Sequence, residues 1–394
     1  MDRADPLARL RDRLGDGGGD VAGARAFFAP GRANLLGAHL DYNGGRVMPV
    51  ALSRGTYLAV APRDDDSLVL ESEGFPGERV ETSWSELRPG RTTGWSAYLE
   101  GALWAASRRW GRPPGWEVRV VADLPLAKGV SSSASIACAA VLAVASWQRV
   151  DEPRETLAAV AHQGETEYVG VPCGILDQTA IFLGREDHVL SYDCLEGTHD
   201  YLPLDHHRAA VVVLDSGTSR ELAAGAFEER VADCRRALEA LRGPLPALRA
   251  LRDLTEDQLL EHGSLLDERL RRRAAHVVGE VRRTRLGAEA LAHGDLASFG
   301  RQITASHASL RDLYEVSTPE LDALVEAAVA APGCFGARLT GAGFGGCVVA
   351  LVDPAARADF DAAVTRGYRA ATGHDPAPTW FAPAGGAREL PFRA

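Results

Sequence analysis

A run of small and hydroxyl-bearing residues leads into a long apolar segment near the middle of the chain. Residues 124–144 read LPLAKGVSSSASIACAAVLAV and include Ser131, Ser132 and Ser133. The first turn of a helix exposes backbone N–H groups at the positive end of the helix dipole, so a loop of this kind can bind phosphate. One serine hydroxyl could also coordinate a magnesium ion carried by a nucleotide. Serine is equally a favoured helix cap, and an ordinary capped helix is the alternative.

A second segment combines hydrogen-bonding side chains with glycines. Residues 29–52 read APGRANLLGAHLDYNGGRVMPVAL and contain Arg32, His39, Asp41, Tyr42 and Asn43. Glycines let the backbone turn tightly around these side chains, and so many donors and acceptors suit a polyhydroxylated ligand. The stretch DYNGG would fit a plain hairpin turn just as well.

A third segment is the glycine cluster in ARLTGAGFGGCVVALV, residues 337–352, which includes Gly341 and Gly343. Such glycine density permits close backbone approach to a ligand or to another loop, and a tight hairpin is the simpler alternative. The sequence contains neither the GxxxxGK[ST] signature of a P-loop nor the HRD and DFG motifs of protein kinases. Any nucleotide site is therefore of another type.

Hydrophobic patterning predicts the strands and helices that must position these three loops. The pattern mixes strands and helices without strict alternation, which favours an α+β fold. Predicted strands cover residues 24–28 (running into a glycine-rich turn), 57–62, 67–72, 116–122, 210–215, 347–353 and 379–381. Predicted helices cover residues 9–14, the apolar run from 134, and residues 227–241, 265–285 and 319–331.

Composition narrows the class of ligand. The 394-residue chain is 46% hydrophobic with a formal net charge of −11, which fits one or two globular domains and argues against nucleic acid or an anionic membrane as partner. The six cysteines are widely spaced, so we expect neither a disulfide framework nor a zinc site. We expect the protein to reside in a reducing compartment. No apolar run reaches the ~20 residues that span a bilayer. We therefore expect a cytoplasmic protein that binds small molecules; a monomer is compatible with the sequence, which does not specify the oligomeric state.

Taken in order, the three loops resemble the signature motifs of the GHMP kinases, and the loop at residues 29–52 resembles the galactokinase signature. Two more segments resemble galactokinases: GETEYVGVPCGILDQ at residues 164–178 and RRAAHVVGEVRRT at residues 272–284. The resemblance implies a two-lobed α+β fold with mixed sheets and helices and an active site in the cleft between lobes. It predicts an N-terminal extension (1–23), a GHMP kinase N-terminal domain (24–205) and a GHMP kinase C-terminal domain (206–394).

The resemblance also implies residue roles in an ATP- and magnesium-dependent sugar kinase. Asp177 would accept the proton of the anomeric hydroxyl, and Arg32 beside it would keep the carboxylate ionised and steady the transferred phosphoryl group. Ser133 and Glu165 would hold Mg²⁺. The sugar would contact Ala38, His39, Asp41, Gly174 and Phe227. The ATP site would comprise Ala127, Lys128, Gly129, Val130, Ser131, Ser132, Ser133, Gly341 and Gly343.

Three departures from the galactokinase pattern concern specificity and phosphate binding. Galactokinases usually read GEHTD where residues 37–41 read GAHLD, so Ala38 removes an acceptor for the sugar C6 hydroxyl and leaves room for a C6 carboxylate. Phe227 stands where the family usually has a sugar-contacting tyrosine. Lys128, the sole lysine, would either contact ATP phosphates or face solvent.

These departures rank the candidate sugars. Galacturonate kinases resemble this sequence at GAH and at GILDQTAIFLG, residues 174–184. We therefore expect D-galacturonate first, with Arg220 as a candidate partner for its carboxylate, then D-galactose, then L-arabinose. Mevalonate and homoserine kinases lack the galactokinase segments. A sugar- and ATP-binding regulator derived from a galactokinase is the non-enzymatic alternative, although such regulators lose part of the serine loop that is intact here.

Overall fold

The structure is a computed structural model that describes residues 5–16, 23–124, 129–171, 173–218 and 223–392. Contacts divide the described residues into two compact units, each assembled from separate stretches of chain. Unit 1 lies within Met1–Arg32, Ala51–Glu186 and Ala384–Ala394, and unit 2 within Ala33–Val50 and Asp187–Pro383. The long strands β1 (Arg25–Leu36) and β2 (Arg46–Arg63) contribute residues to both units.

Unit 1 is built on a mixed sheet in the order β12–β1–β2–β5–β3–β4. Strands β2 and β5 pair antiparallel with Leu58 opposite Val120, whereas β3 runs parallel to β5. Its remaining strands are β3 (Ser67–Ser72), β4 (Arg79–Ser83), β5 (Gly115–Ala122) and β12 (Arg388–Leu390). Its helices are α1 (Pro6–Asp16), α2 (Trp95–Trp110), α3 (Ser132–Trp147), α4 (Arg154–Gln163) and α5 (Leu176–Leu183).

Helix α3 occupies the core of unit 1. Its residues from Ala134 to Val141 are all buried, which is what a helix apolar on every side requires. They pack in one hydrophobic cluster with apolar residues of β2, β3, β5, α2 and α4. A rigid core therefore supports the N-terminus of α3, where the serine run lies.

Unit 2 contains a four-stranded antiparallel sheet in the order β11–β8–β10–β9 and a separate hairpin of β6 and β7, which pairs with the start of β2. Its strands are β6 (His188–Asp193), β7 (His199–Pro203), β8 (Ala210–Asp215), β9 (Cys334–Thr340), β10 (Cys347–Val352) and β11 (Thr379–Phe381). Its helices are α6 (Ala223–Arg242), α7 (Glu256–His262), α8 (Glu268–Ala292), α9 (Leu296–Ser309), α10 (Pro319–Ala330) and α11 (Arg357–Thr372).

The α+β class is confirmed, and most predicted elements are present with shifted ends. Two expectations were wrong. The strand predicted at 24–28 does not run into a glycine-rich turn but continues to Leu36 as β1, and residues 46–52, expected in a loop, belong to β2. Gly31 lies inside β1. The position requires glycine because a Cβ there would stand 2.8 Å from the Val130 carbonyl oxygen. Helix α8 begins at Glu268, capped by Asp267, rather than at 265, where a 3₁₀ turn ends. Across the described ranges, no helix combines the length and apolar character needed to cross a membrane.

Candidate active site

Arg32 and Asp177 form a bidentate ion pair in unit 1. Arg32 extends from β1, and Asp177 lies in the first turn of α5. The Arg32 Nε donates to Asp177 Oδ1 at 2.5 Å, and its second guanidinium nitrogen donates to Oδ2 at 2.7 Å. The third guanidinium nitrogen donates to the carbonyl oxygen of Gly129 at 2.8 Å. Two parallel charge-assisted hydrogen bonds fix the orientation of the Asp177 carboxylate.

Ser131 joins this pair, a contact that the sequence reasoning missed. Its hydroxyl donates to Oδ2 of Asp177. Ser131 stands at the N-cap of α3 with φ of 57°, in the left-handed region that non-glycine residues seldom adopt. The adjacent Val130 carbonyl accepts the backbone N–H of Arg32 at 3.1 Å, which ties the serine loop to β1. Strained backbone held in place by its surroundings is common at functional sites.

The rest of the expected phosphate loop is partly described. Ala127 and Lys128 lie outside the described residues. Gly129 adopts φ of +72°, while Ser132 and Ser133 begin α3 and are partly exposed. The start of α3 therefore offers a helix N-terminus and two serine hydroxyls, the features that bind phosphate groups.

Glu165 lies in a π-helical turn, Gly164–Val169, and is 8% exposed. The Gln178 amide donates to Glu165 Oε2 at 2.6 Å. Burial, followed by the nearby negative charge of Asp177, raises the pKa of Glu165 to about 7. A divalent cation would favour the ionised form, and the carboxylate and serine oxygens are the hard donors that Mg²⁺ prefers. Glu165 thus fits a magnesium ligand, with Ser133 at the start of α3 as the expected second protein ligand.

Gly341 and Gly343 follow β9 in unit 2. A Cβ on Gly343 would stand 2.3 Å from the Val316 carbonyl oxygen, and the same carbonyl accepts the Phe344 N–H at 2.8 Å. Thr340 pairs with Cys347, so residues 341–346 connect β9 and β10 as a hairpin loop. Both alternatives left open by the sequence therefore apply, since Gly343 in this hairpin also lies close to the Val316 backbone.

His39 lies in unit 2, in the loop at residues 37–45 that joins β1 to β2 and that we call the polar loop. It adopts φ of 59° and is buried, and its Nδ1 lies 2.8 Å from the Tyr42 hydroxyl. Burial is the main cause that lowers the pKa of His39 well below its usual value, so the ring is neutral at physiological pH. Its Nε2 has no hydrogen-bond partner among the described residues. A buried ring nitrogen without a partner is available for a ligand hydroxyl.

Aromatic side chains surround the His39 ring. Tyr314 lies 4.7 Å and Phe227 6.1 Å from it, centroid to centroid. The Tyr314 and Tyr42 hydroxyls are 2.7 Å apart. Tyr314 was missed because it follows α9 in a π-helical turn that carries no recognisable motif. The aromatic rings hold the imidazole in one orientation.

The other expected sugar contacts are Asp41, Ala38 and Gly174. Asp41 lies in a short 3₁₀ turn, Asp41–Asn43, and is partly exposed, whereas Ala38 is 4% exposed. Gly174, in unit 1, is also partly exposed. Arg220 lies outside the described residues.

Comparison with family models gives three matches along the chain. The model described as "GHMP kinases N terminal domain" matches residues 97–185, and "GHMP kinases C terminal" matches residues 288–370. The "Galactokinase galactose-binding signature" matches residues 19–62, which contain Arg32, His39 and Asp41.

Galactokinases are similar to the chain in both sequence and structure. The chain is 43% identical to the galactokinase of Roseiflexus sp. (strain RS-1) over 88% of each sequence, and 40% identical to the Homo sapiens galactokinase over 84% of each. The crystal structure of Lactococcus lactis galactokinase complexed with galactose superimposes with a TM-score of 0.92 at 34% identity, covering 98% of this chain and 100% of that one. A mevalonate kinase structure, at 18% identity and a TM-score of 0.64, shares the fold alone.

Proposed function

Because the chain belongs to the galactokinase family of the GHMP kinases and is a sugar kinase, we propose that it transfers the γ-phosphoryl group of ATP to the anomeric hydroxyl of a galactose-configured sugar. The observation that carries this proposal is the arrangement of Arg32 and Ser131 around the Asp177 carboxylate. A carboxylate held in this way can accept the proton of a sugar hydroxyl as that hydroxyl attacks phosphorus.

In the proposed mechanism Asp177 is the general base, and Arg32 holds its carboxylate in one orientation. Once the proton has moved to Asp177, the Arg32 guanidinium can stabilise negative charge on the phosphoryl oxygens. Phosphoryl transfer asks the protein mainly for positioning and charge neutralisation rather than covalent chemistry. These two side chains supply both functions from rigid positions on β1 and α5.

We assign the ATP phosphates to the serine loop and the N-terminus of α3. The residues assigned to ATP are Ala127, Lys128, Gly129, Val130, Ser131, Ser132, Ser133, Gly341 and Gly343. Ser133 and Glu165 would hold Mg²⁺, which would neutralise phosphate charge when bound. Two observations support Glu165 as a ligand: its side chain is buried, and its pKa is raised. A bound cation would stabilise the ionised carboxylate in this buried position.

D-Galactose is the preferred sugar in this proposal, because the relatives over most of the chain are named galactokinases and one is a galactose complex. His39, through its unpartnered Nε2, and Asp41 would bind ring hydroxyls. Gly174 and Phe227 are the other sugar contacts that the family resemblance implies. D-Galacturonate, ranked first from the sequence, becomes the second candidate. The observation in its favour is Ala38, which removes the family's glutamate. L-Arabinose, which lacks C6, is third.

The remaining expectations are part of the proposal. The matched N- and C-terminal family models fall inside the proposed domains at 24–205 and 206–394. The compact units differ from these domains, because residues 33–50 belong to unit 2 and the C-terminal residues from Ala384 belong to unit 1. Use of ATP, an intracellular co-substrate, supports a cytoplasmic location. The intact Ser131–Ser133 run and the Arg32–Asp177 pair favour catalysis over a regulatory role.

An ATP-consumption assay with D-galactose, D-galacturonate and L-arabinose, in the presence of Mg²⁺, tests the proposal. We expect turnover with D-galactose and a smaller or comparable rate with D-galacturonate. Binding of sugar and ATP without any ADP formation would support the regulator instead, and turnover of mevalonate or homoserine in place of all three sugars would overturn the assignment.

A further inference from the structure

Glu280, from the middle of α8, lies directly behind the polar loop that contains His39. One of its oxygens, Oε1, accepts the backbone N–H groups of both Gly37 and Ala38 at 3.0 Å. The same oxygen accepts the Ser306 hydroxyl at 2.7 Å, and Oε2 accepts Nε of Arg283 at 2.7 Å. Glu280 is completely buried, so these four donors replace the water that the carboxylate would otherwise bind.

His276, one helical turn earlier on the same face of α8, contacts the other side of the Ala38 residue. Its Nε2 lies 3.2 Å from the Ala38 carbonyl oxygen, and its Nδ1 lies 2.8 Å from the Ser309 hydroxyl. A carbonyl oxygen can only accept, so a neutral His276 must carry its proton on Nε2 and accept from Ser309 at Nδ1. His276 is completely buried as well.

We propose that Glu280 and His276 are positioning residues for the sugar: together they hold Ala38 by its N–H and its C=O and thereby fix the direction of the His39 side chain. This inference rests on the proposed function, because it takes residues 37–41 as part of the sugar site. All the contacts that carry it lie within unit 2.

The strained conformation of His39 explains why such anchoring is needed. A residue with φ of 59° relaxes to another conformation unless its neighbours hold it. Hydrogen bonds to the preceding residue restrict the rotation that would release the strain. Loss of these bonds should therefore turn the His39 ring nitrogen away from the sugar while leaving Ser131–Ser133 and the N-terminus of α3 in unit 1 intact.

Two sets of variants test the inference by steady-state kinetics with sugar and ATP varied separately. In Glu280→Gln, the amide NH₂ group must face either the backbone N–H groups or Arg283, so donors oppose donors. We expect the KM for the sugar to rise about tenfold or more, with the KM for ATP within about twofold of wild type. Glu289→Gln, the same change at an exposed position of α8, is the matched control and should leave both KM values unchanged.

The pair His276→Asn and His276→Gln gives a test that does not depend on folding of the Glu280 variant. Glutamine places an amide N–H close to the position of Nε2, whereas asparagine is too short to reach the Ala38 carbonyl. We expect His276→Asn to raise the sugar KM and His276→Gln to restore most of the wild-type value.

The outcomes separate the two proposals. A wild-type protein without turnover on any of the sugars would overturn the proposed function itself. With an active wild type, equal KM changes for sugar and ATP, or identical behaviour of the two His276 variants, would overturn the positioning role of α8.

Discussion

The two acidic residues proposed for the active site, Glu165 and Asp177, have different surroundings, and these suit different tasks. Asp177 accepts hydrogen bonds from a bidentate arginine and a serine hydroxyl, which fix the orientation of its carboxylate. Glu165 is buried with an amide as its hydrogen-bond partner, and its pKa is raised to about 7. Neighbouring carboxyl groups in contrasting environments often divide the roles within one site. The geometry therefore favours Asp177 as the base and Glu165 as the metal ligand.

Asp177→Asn should abolish proton transfer, and it also breaks one of the two hydrogen bonds from Arg32 because an amide NH₂ group cannot accept. We expect the turnover number to fall roughly 100- to 10,000-fold, since general-base catalysis contributes about this much. Dissociation constants for Mg-ATP, measured by titration calorimetry, should remain close to wild type, because the base acts on the sugar proton. Near-normal turnover would remove Asp177 from the mechanism.

Ala38 determines the choice between D-galactose and D-galacturonate in this account. In Ala38→Glu, two carboxylates about 4 Å apart would repel by roughly 4 kcal/mol at an effective dielectric constant near 20. If solvent screens half of this, the ratio of kcat/KM values should move toward galactose by roughly thirtyfold. Ala38→Gln is the matched control, since it restores an acceptor without the charge and should discriminate less. A ratio that stays constant in both variants would show that position 38 does not face the sugar C6 substituent.

At the scale of elements, α8 contacts the polar loop through Glu280 and His276, and its buried histidine makes a testable contribution to stability. Burial lowers the pKa of His276 to about 4, against the opposing effect of Glu280 and with smaller contributions from Arg283 and Arg338. The unfolded chain binds a proton near pH 6.5 while the folded chain does not. The contribution of His276 is therefore complete above pH 6.5 and is lost as the pH falls toward 4.

This linkage predicts that wild-type protein loses more unfolding free energy than His276→Gln between pH 7 and pH 4.5. A pKa difference of this size corresponds to at most about 3 kcal/mol. Urea denaturation of both proteins at the two pH values measures it. Protonation of Glu280, whose pKa is lowered to about 2, also reduces the unfolding free energy at low pH. This reduction occurs mainly below pH 4.5 and in both proteins. Parallel stability curves across this range would contradict the assignment.

The sequence pattern predicts the position of a strand well where the local alternation of apolar and turn residues determines it. The strands 67–72, 210–215 and 379–381 match β3, β8 and β11 because each is a short apolar run with clear turns. It fails for β1, because Gly31 serves close packing against Val130 rather than a turn. The motifs place Arg32, Ser131 and Asp177 in one site, but nothing local predicts that the Ser131 hydroxyl would bind Asp177 or that Glu280 would hold the Ala38 backbone. Such contacts depend on residues far apart in sequence.

At the scale of the whole molecule, the proposed tasks are distributed between the two units. The Arg32–Asp177 pair and the serine loop belong to unit 1, whereas the polar loop with His39 and its supporting helix α8 belong to unit 2. The chain has a net charge of −11, so anionic ATP binds only where local groups attract phosphate. The N-terminus of α3 and the Arg32 guanidinium are such groups. The functional argument therefore rests on local geometry rather than on the overall charge.

The position of the transferred phosphate tests the central claim most directly. Wild-type protein is incubated with D-galactose, Mg²⁺ and ATP, and the product is examined by ³¹P and ¹H nuclear magnetic resonance, with Asp177→Asn in parallel. We predict a sugar 1-phosphate in which the anomeric proton is coupled to phosphorus, formed by wild type and not by the variant. A phosphate on C6 or another ring position, or equal product from Asp177→Asn, would contradict an anomeric sugar kinase that uses Asp177 as its base.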